Sequence, residues 1–97
     1  MKQVSSKQSK KNRILAKIKS KLDPYCAICG NTGVDLAHLL PKGMYPEYYA
    51  EEWNLKILCR EHHNLYDNEI EFRQQCTEFY NIVKSHDELA ANRYFKI

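Results

Sequence analysis

The sequence has no run of apolar residues approaching the ~18 needed to cross a bilayer, so a membrane span is not expected. Its opening residues, MKQVSSKQSKKNR, contain no apolar core of the kind a secretory leader carries, so a signal peptide is not expected either. Glycine and proline are scarce, three of each in 97 residues. That scarcity argues against a collagen-like or low-complexity chain. Acidic residues are absent from the first 22 positions, which hold eight Lys or Arg, whereas residues 23–97 hold seven bases and twelve acids. A basic arm of this kind suits a polyanion, nucleic acid first, although a merely solubilising tail has the same composition.

What the chain does have is four cysteines and four histidines. A chain this short is one domain at most and buries a modest core, so a metal or disulfide staple is useful to it. With no secretory leader, the expected setting is the cytoplasm, of a bacterium or of a phage-infected host. There thiols are better read as metal ligands than as disulfides.

Along the chain, residues 1–9 read as disordered. Ile14, Leu15, Ile18 and Leu22 fall at helical spacing and predict an amphipathic helix from Lys10 to Leu22, ended by Asp23-Pro24. Residues 25–40 read as two short strands around a knuckle, the second being Val34–Leu40, closed by Pro41-Lys42-Gly43. Residues 44–52 form a loop or a short helical turn, and Trp53–Leu58 a returning strand. Cys59 opens a helix to about Asp67. In the C-terminal third, Phe72, Cys76, Phe79, Tyr80 and Val83 predict one long helix with one apolar face. Ser85-His86-Asp87 caps a last helix, from Glu88 to about Phe95.

Cys26-x2-Cys29, followed after twenty-nine residues by Cys59-x2-His62, is a two-knuckle zinc pattern. Two ligands two residues apart sit on one tight turn and point the same way. Two such turns complete a tetrahedron, and with four protein ligands the zinc is structural. Cys76 is the competing fourth ligand, but it falls on the apolar helix face, where a buried thiol needs no further role. A redox CxxC would need a βαβ context that is missing here.

Taken in order, CAICG, DLAHLLPKG, EWNLKILC and CREHHNLYD resemble the HNH endonuclease family over roughly residues 25–67. The resemblance implies an α+β fold, a small zinc-stapled ββα-metal (HNH, or His-Me finger) domain with flanking N- and C-terminal helices. The domain division that follows is a basic arm and helix over 1–22 and a nuclease domain with a helical extension over 23–97. It implies His38 as the general base, Asn54 as the residue that ties the loop and holds the base, and His63 as a ligand of a catalytic divalent ion. Asp67, four residues on and on the same helix face, is the candidate second ligand, or a solvated acid. The ion would be Mg²⁺, or Mn²⁺ or Ni²⁺, which gain more from an imidazole.

The chain departs from the family at Ala37, where an Asp or His ligand usually precedes the base. Asp35 shares the strand face of Ala37 but lies two residues back, at a distance that counts against its replacing the ligand. Lys10, Lys11, Arg13, Lys17, Lys42, Lys56 and Arg60 are the expected phosphate contacts, or ordinary surface charges. Tyr45, Tyr48 and Tyr49 would stack on bases, or simply pack a loop. The expected substrate is DNA, with RNA left open. A double-strand cut would call for a second copy or a protein partner. The competing reading is a non-catalytic, zinc-stapled nucleic-acid-binding module, which the loss at Ala37 favours.

Overall fold

The computed structural model describes residues 6–97, with side chains from residue 12 onward. The described chain runs α1 (Ser6–Lys21), β1 (Asp35–His38), β2 (Leu55–Leu58), α2 (Arg60–Asn68), α3 (Ile70–Gln75), α4 (Thr77–His86) and α5 (Glu88–Phe95). Two single 3₁₀ turns, Pro46–Tyr48 and Glu52–Asn54, lie between the strands. It is a small α+β fold. None of the described helices is long and apolar enough to cross a membrane.

Helix α1 begins at Ser6, four residues before the expected start, and so takes in part of the stretch read as disordered; residues 1–5 lie outside the described chain. Of its apolar positions Ile18 is buried, Leu15 and Leu22 are half-buried and Ile14 is exposed.

The strands pair antiparallel, with Asp35 opposite Leu58, Leu36 opposite Ile57, Ala37 opposite Lys56 and His38 opposite Leu55. Strand β1 is shorter than expected. One further backbone bond, Leu39 N–H to the Asn54 carbonyl (2.8 Å), extends the pairing before the chain turns away. The expected strand at residue 25 is reduced to a single bridge between Tyr25 and Thr32, flanking the first knuckle. Gly33 is required there. A Cβ at this position would sit 2.8 Å from Ile57 Cγ2 and 3.1 Å from both the Cys26 nitrogen and the Leu58 carbonyl carbon, so the knuckle loop could not lie against β2. Gly30, at φ +78°, supplies the left-handed residue that closes the knuckle.

The core lies between the strand pair and the C-terminal helices. Leu39, Leu40, Leu58, Tyr66, Phe79, Val83, Ala91 and Phe95 belong to one buried cluster. Tyr66 is its centre: its ring meets Phe79 and Phe95 edge-on, and its hydroxyl donates to the Leu39 carbonyl at 2.7 Å. A buried phenol needs such a partner, and this one fixes α2 to the end of the strand.

The long helix expected through Cys76 is two helices. The chain breaks at Cys76 (φ −81°, ψ 65°), whose N–H bonds the Arg73 carbonyl three residues back. The apolar positions continue across the break, so the expected face is there: Phe79 and Val83 are buried, Phe72, Cys76 and Tyr80 half-buried. Helix α5 is capped as its sequence indicates, the Asp87 carboxylate accepting from the Ala90 N–H at 3.0 Å.

Candidate metal centre and adjoining hollow

The two knuckles meet. Ligand atoms of Cys26, Cys29, Cys59 and His62 all lie within 4.8 Å of one another. Cys59 Sγ is 3.2 Å and Cys26 Sγ 3.7 Å from His62 Nδ1, and Cys29 Sγ is 3.9 Å from Cys59 Sγ. A tetrahedron with sulfur at about 2.3 Å and nitrogen at about 2.0 Å from its centre has edges of about 3.5–3.8 Å. The group could therefore hold a zinc ion. Burial raises the Cys26 thiol pKa, but the N–H groups of Cys59, Cys29 and Ile28 outweigh it and bring it down to about 6, which favours the thiolate a metal needs. At Cys29 the strongest influence, the Asn31 N–H, lowers the pKa. Desolvation and the neighbouring sulfurs of Cys26 and Cys59 together raise it. Phe72 stacks on the His62 ring, with centroids 5.8 Å apart and planes 12° apart. Cys76 is not in the group; its Sγ lies 3.5 Å from the Phe72 carbonyl, at the break between α3 and α4.

One residue further on, the chain serves a different place. His38 and His63 line the same hollow, of about 460 Å³, together with Pro41, Lys42, Met44, Asp67 and Tyr94. His38 Nε2 is 2.9 Å from the Tyr49 carbonyl oxygen. A carbonyl only accepts, so Nε2 carries the proton and Nδ1 is left as the basic nitrogen. The Tyr49 ring stacks on the imidazole (5.1 Å, 5°), and Lys42 Nζ stands 4.5 Å from the Tyr49 ring centre. Burial pushes the His38 pKa below its ordinary value; the Tyr49 carbonyl and the Asp67 charge oppose this without cancelling it.

Asn54 is fully buried. Its Oδ1 accepts from Leu40 N–H (2.8 Å), and its Nδ2 donates to the carbonyls of Leu40 (3.1 Å) and Tyr48 (3.0 Å). It joins the end of β1 to the residue before Tyr49, and so fixes the carbonyl that fixes His38.

His63 stands between two carboxylates, Nδ1 2.9 Å from Asp35 Oδ2 and Nε2 3.1 Å from Asp67 Oδ2. Arg60 reaches the same Asp35, Nε to Oδ2 at 2.8 Å and Nη2 to Oδ1 at 3.0 Å. The His63 bond, aided by Arg60, holds the Asp35 carboxyl below the usual carboxylate range against its burial. Ala37 is fully buried in the core cluster and offers no ligand. Asp35, on its face of the strand, does not itself line the hollow but reaches His63, which does.

Of the expected phosphate contacts, Lys42 lines the hollow and Arg60 is paired with Asp35. Lys56 lies on β2 opposite Ala37, and Arg13 and Lys17 are exposed on α1; the side chains of Lys10 and Lys11 fall outside the described residues. The tyrosines divide. Tyr48 packs edge-on against Trp53 and donates to Asp87 Oδ2 at 2.6 Å, Tyr45 stacks on Tyr48, and Tyr49 serves His38.

The residue that sequence reasoning missed is Arg73. It is buried, and donates to the carbonyls of Tyr66 (3.0 Å), Asp67 (2.8 Å) and Tyr94 (3.0 Å) while lying over the Tyr94 ring (3.9 Å). It thereby caps the ends of α2 and α5, which supply Asp67 and Tyr94 to the hollow.

No family model, curated protein or solved structure matches the chain.

Proposed function

We propose that this chain is a metal-dependent DNA endonuclease with an HNH-type ββα-metal centre, in which His38 is the general base. The observation that carries the reading is the convergence of His38 and His63 on one hollow, His38 held through Nε2 by the Tyr49 carbonyl and His63 set between Asp35 and Asp67. Two imidazoles brought to one hollow beside a carboxylate is an arrangement that a purely binding module has no need to build.

The residues fit a divalent ion at His63 and Asp67. A neutral ring that donates from Nδ1 to Asp35 would leave Nε2 and Asp67 Oδ2, 3.1 Å apart, free to share a cation. Two ligands at adjacent positions of an octahedron with ~2.1 Å bonds lie about 3.0 Å apart. His63 and Asp67 would hold such an ion, with water and the substrate phosphate supplying what the chain does not. Such an ion would supply positive charge where the 3′ oxygen departs.

The chain's own groups do the rest. Nδ1 of His38 takes a proton from water, and the resulting hydroxide attacks phosphorus. The bond to the 3′ oxygen breaks, leaving a 5′-phosphate and, after protonation by solvent, a 3′-hydroxyl. Asn54 holds the Leu40–Tyr48 loop, so that the Tyr49 carbonyl keeps Nε2 protonated and Nδ1 basic. Lys42 at the rim and the cationic face of α1 would meet flanking phosphates.

The test is supercoiled plasmid with Mg²⁺, Mn²⁺ or Ni²⁺. The wild-type chain is expected to nick it and His38→Ala is not. Equal cutting by His38→Ala would overturn the assignment of the base. Retained DNA binding with no cutting under any ion would return the chain to the binding-module reading, which the buried Ala37 favours.

A further inference from the structure

We propose that Asp35 is the positioning residue of this centre: clamped by Arg60, it accepts the Nδ1 proton of His63 and so turns the Nε2 lone pair toward Asp67. The inference rests on the functional reading above, and it assigns Asp35 and Arg60 roles that the sequence motif does not.

Three observations carry it. Asp35 Oδ2 receives two donors, His63 Nδ1 at 2.9 Å and Arg60 Nε at 2.8 Å, while Oδ1 receives Arg60 Nη2 at 3.0 Å. The Asp35 side chain is 11% exposed, whereas Arg60 is 74% exposed. The carboxylate is therefore the sheltered partner, and the guanidinium closes over it from outside as a planar fork. The third observation is placement. Asp35 opens β1 and Arg60 opens α2, so the fork spans the two elements that deliver His38 and His63.

The chemistry follows from the two-nitrogen character of imidazole. A neutral ring binds a metal through one nitrogen, and the hydrogen bond at the other decides which. A carboxylate at Nδ1 fixes the tautomer and the ring plane, and makes Nε2 a better donor. In this chain the position before the base is Ala37, so the ion loses one protein ligand there. A preset His63 offsets part of that loss, because no rotation or tautomer change remains to be made on binding. Arg60, expected from its charge to meet a phosphate, is instead occupied in holding Asp35.

The experiment uses the zinc-loaded full chain and its Asp35→Asn, Asp35→Ala and Arg60→Gln variants, with Mn²⁺ alone as the probe. Zinc content and circular dichroism identify folded variants. Long-range proton–nitrogen NMR at pH 8.5 reads the His63 tautomer, and titration followed by electron paramagnetic resonance reads Mn²⁺ affinity. The wild type is expected to hold the proton on Nδ1. Asp35→Ala is expected to populate both tautomers and to bind Mn²⁺ about 10- to 100-fold more weakly. Asp35→Asn, which keeps the shape without the charge, should fall between, and Arg60→Gln should weaken Mn²⁺ severalfold while zinc stays bound. An unchanged tautomer and unchanged Mn²⁺ affinity in folded Asp35→Ala or Asp35→Asn would overturn the proposal. If the wild type binds no Mn²⁺, the reading of His63 and Asp67 as ligands fails, and the tautomer still reports on Asp35 separately.

Discussion

Asn54 grips Leu40 from both sides, its Oδ1 taking the Leu40 N–H at 2.8 Å while its Nδ2 gives to the Leu40 carbonyl at 3.1 Å. A single side chain thus replaces the strand partner that Leu40 would otherwise lack, since β1 ends at His38. Replacing Asn54 by Ala strands the N–H and carbonyl of Leu40 and the Tyr48 carbonyl around a fully buried position. The expected cost is about 3 kcal/mol or more, given 1–3 kcal/mol for each buried group left unpaired and partial relaxation of the loop. Urea denaturation of Asn54→Ala against wild type measures it. Asn54→Asp should be no better, because its carboxylate would face two carbonyls.

The pH dependence follows from His38. As the proposed base, His38 would work in its neutral form, and burial disfavours its charged form, so its pKa lies below the ordinary value of about 6.5. The cleavage rate should therefore rise with pH, with an acid limb centred below 6.5, and be level through neutrality. His38→Ala should lose about a hundred- to ten-thousand-fold, the usual worth of a positioned base. A limb centred well above 6.5 in the kcat/KM profile would contradict the placement of His38.

Metal content separates the two readings of the fourth cysteine. Cys76→Ser should retain one tightly held zinc per chain, because its sulfur lies by the Phe72 carbonyl and outside the ligand group. Cys26→Ser should lose zinc together with much of the cooperative unfolding transition, as should treatment with a strong chelator. Elemental analysis and thermal melts report both.

Arg73 carries a prediction of a different kind. Its guanidinium serves three carbonyls on two helices, a task that needs a planar fork and not merely a charge. Arg73→Lys should therefore lose about 1–3 kcal/mol of stability despite keeping the charge, and Arg73→Met more. Chemical denaturation at constant zinc tests both.

The parts of the molecule visible in the sequence are those governed by short-range geometry. CxxC and CxxH spacings belong to tight turns, and the Asp87 cap and the Cys59 helix start are likewise local. The helix break at Cys76 was hidden because Phe72, Cys76, Phe79 and Val83 keep their helical spacing across it; what breaks there is the backbone, not the pattern. Arg73 was hidden because a base on a polar helix face reads as a surface charge until a second helix end is brought against it. The bond from Asp35 to His63 spans 28 residues, and no local rule links them. The roles proposed for His38, Asn54 and His63 rest on the resemblance of the whole motif, and the hollow that His38 and His63 share emerges only once the strand pair and α2 are assembled.

His62 and His63 are consecutive on α2, where neighbouring side chains diverge by about 100°. One ring turns to the three sulfurs and the other to Asp35 and Asp67. Two ions would then share one peptide link, and whatever bias occupancy at one places on affinity at the other would be returned by the same factor. A positive bias would make scarcity of the soft, tightly held ion felt as a poorer appetite for the hard, hydrated one, with no relay of intervening residues to carry the message.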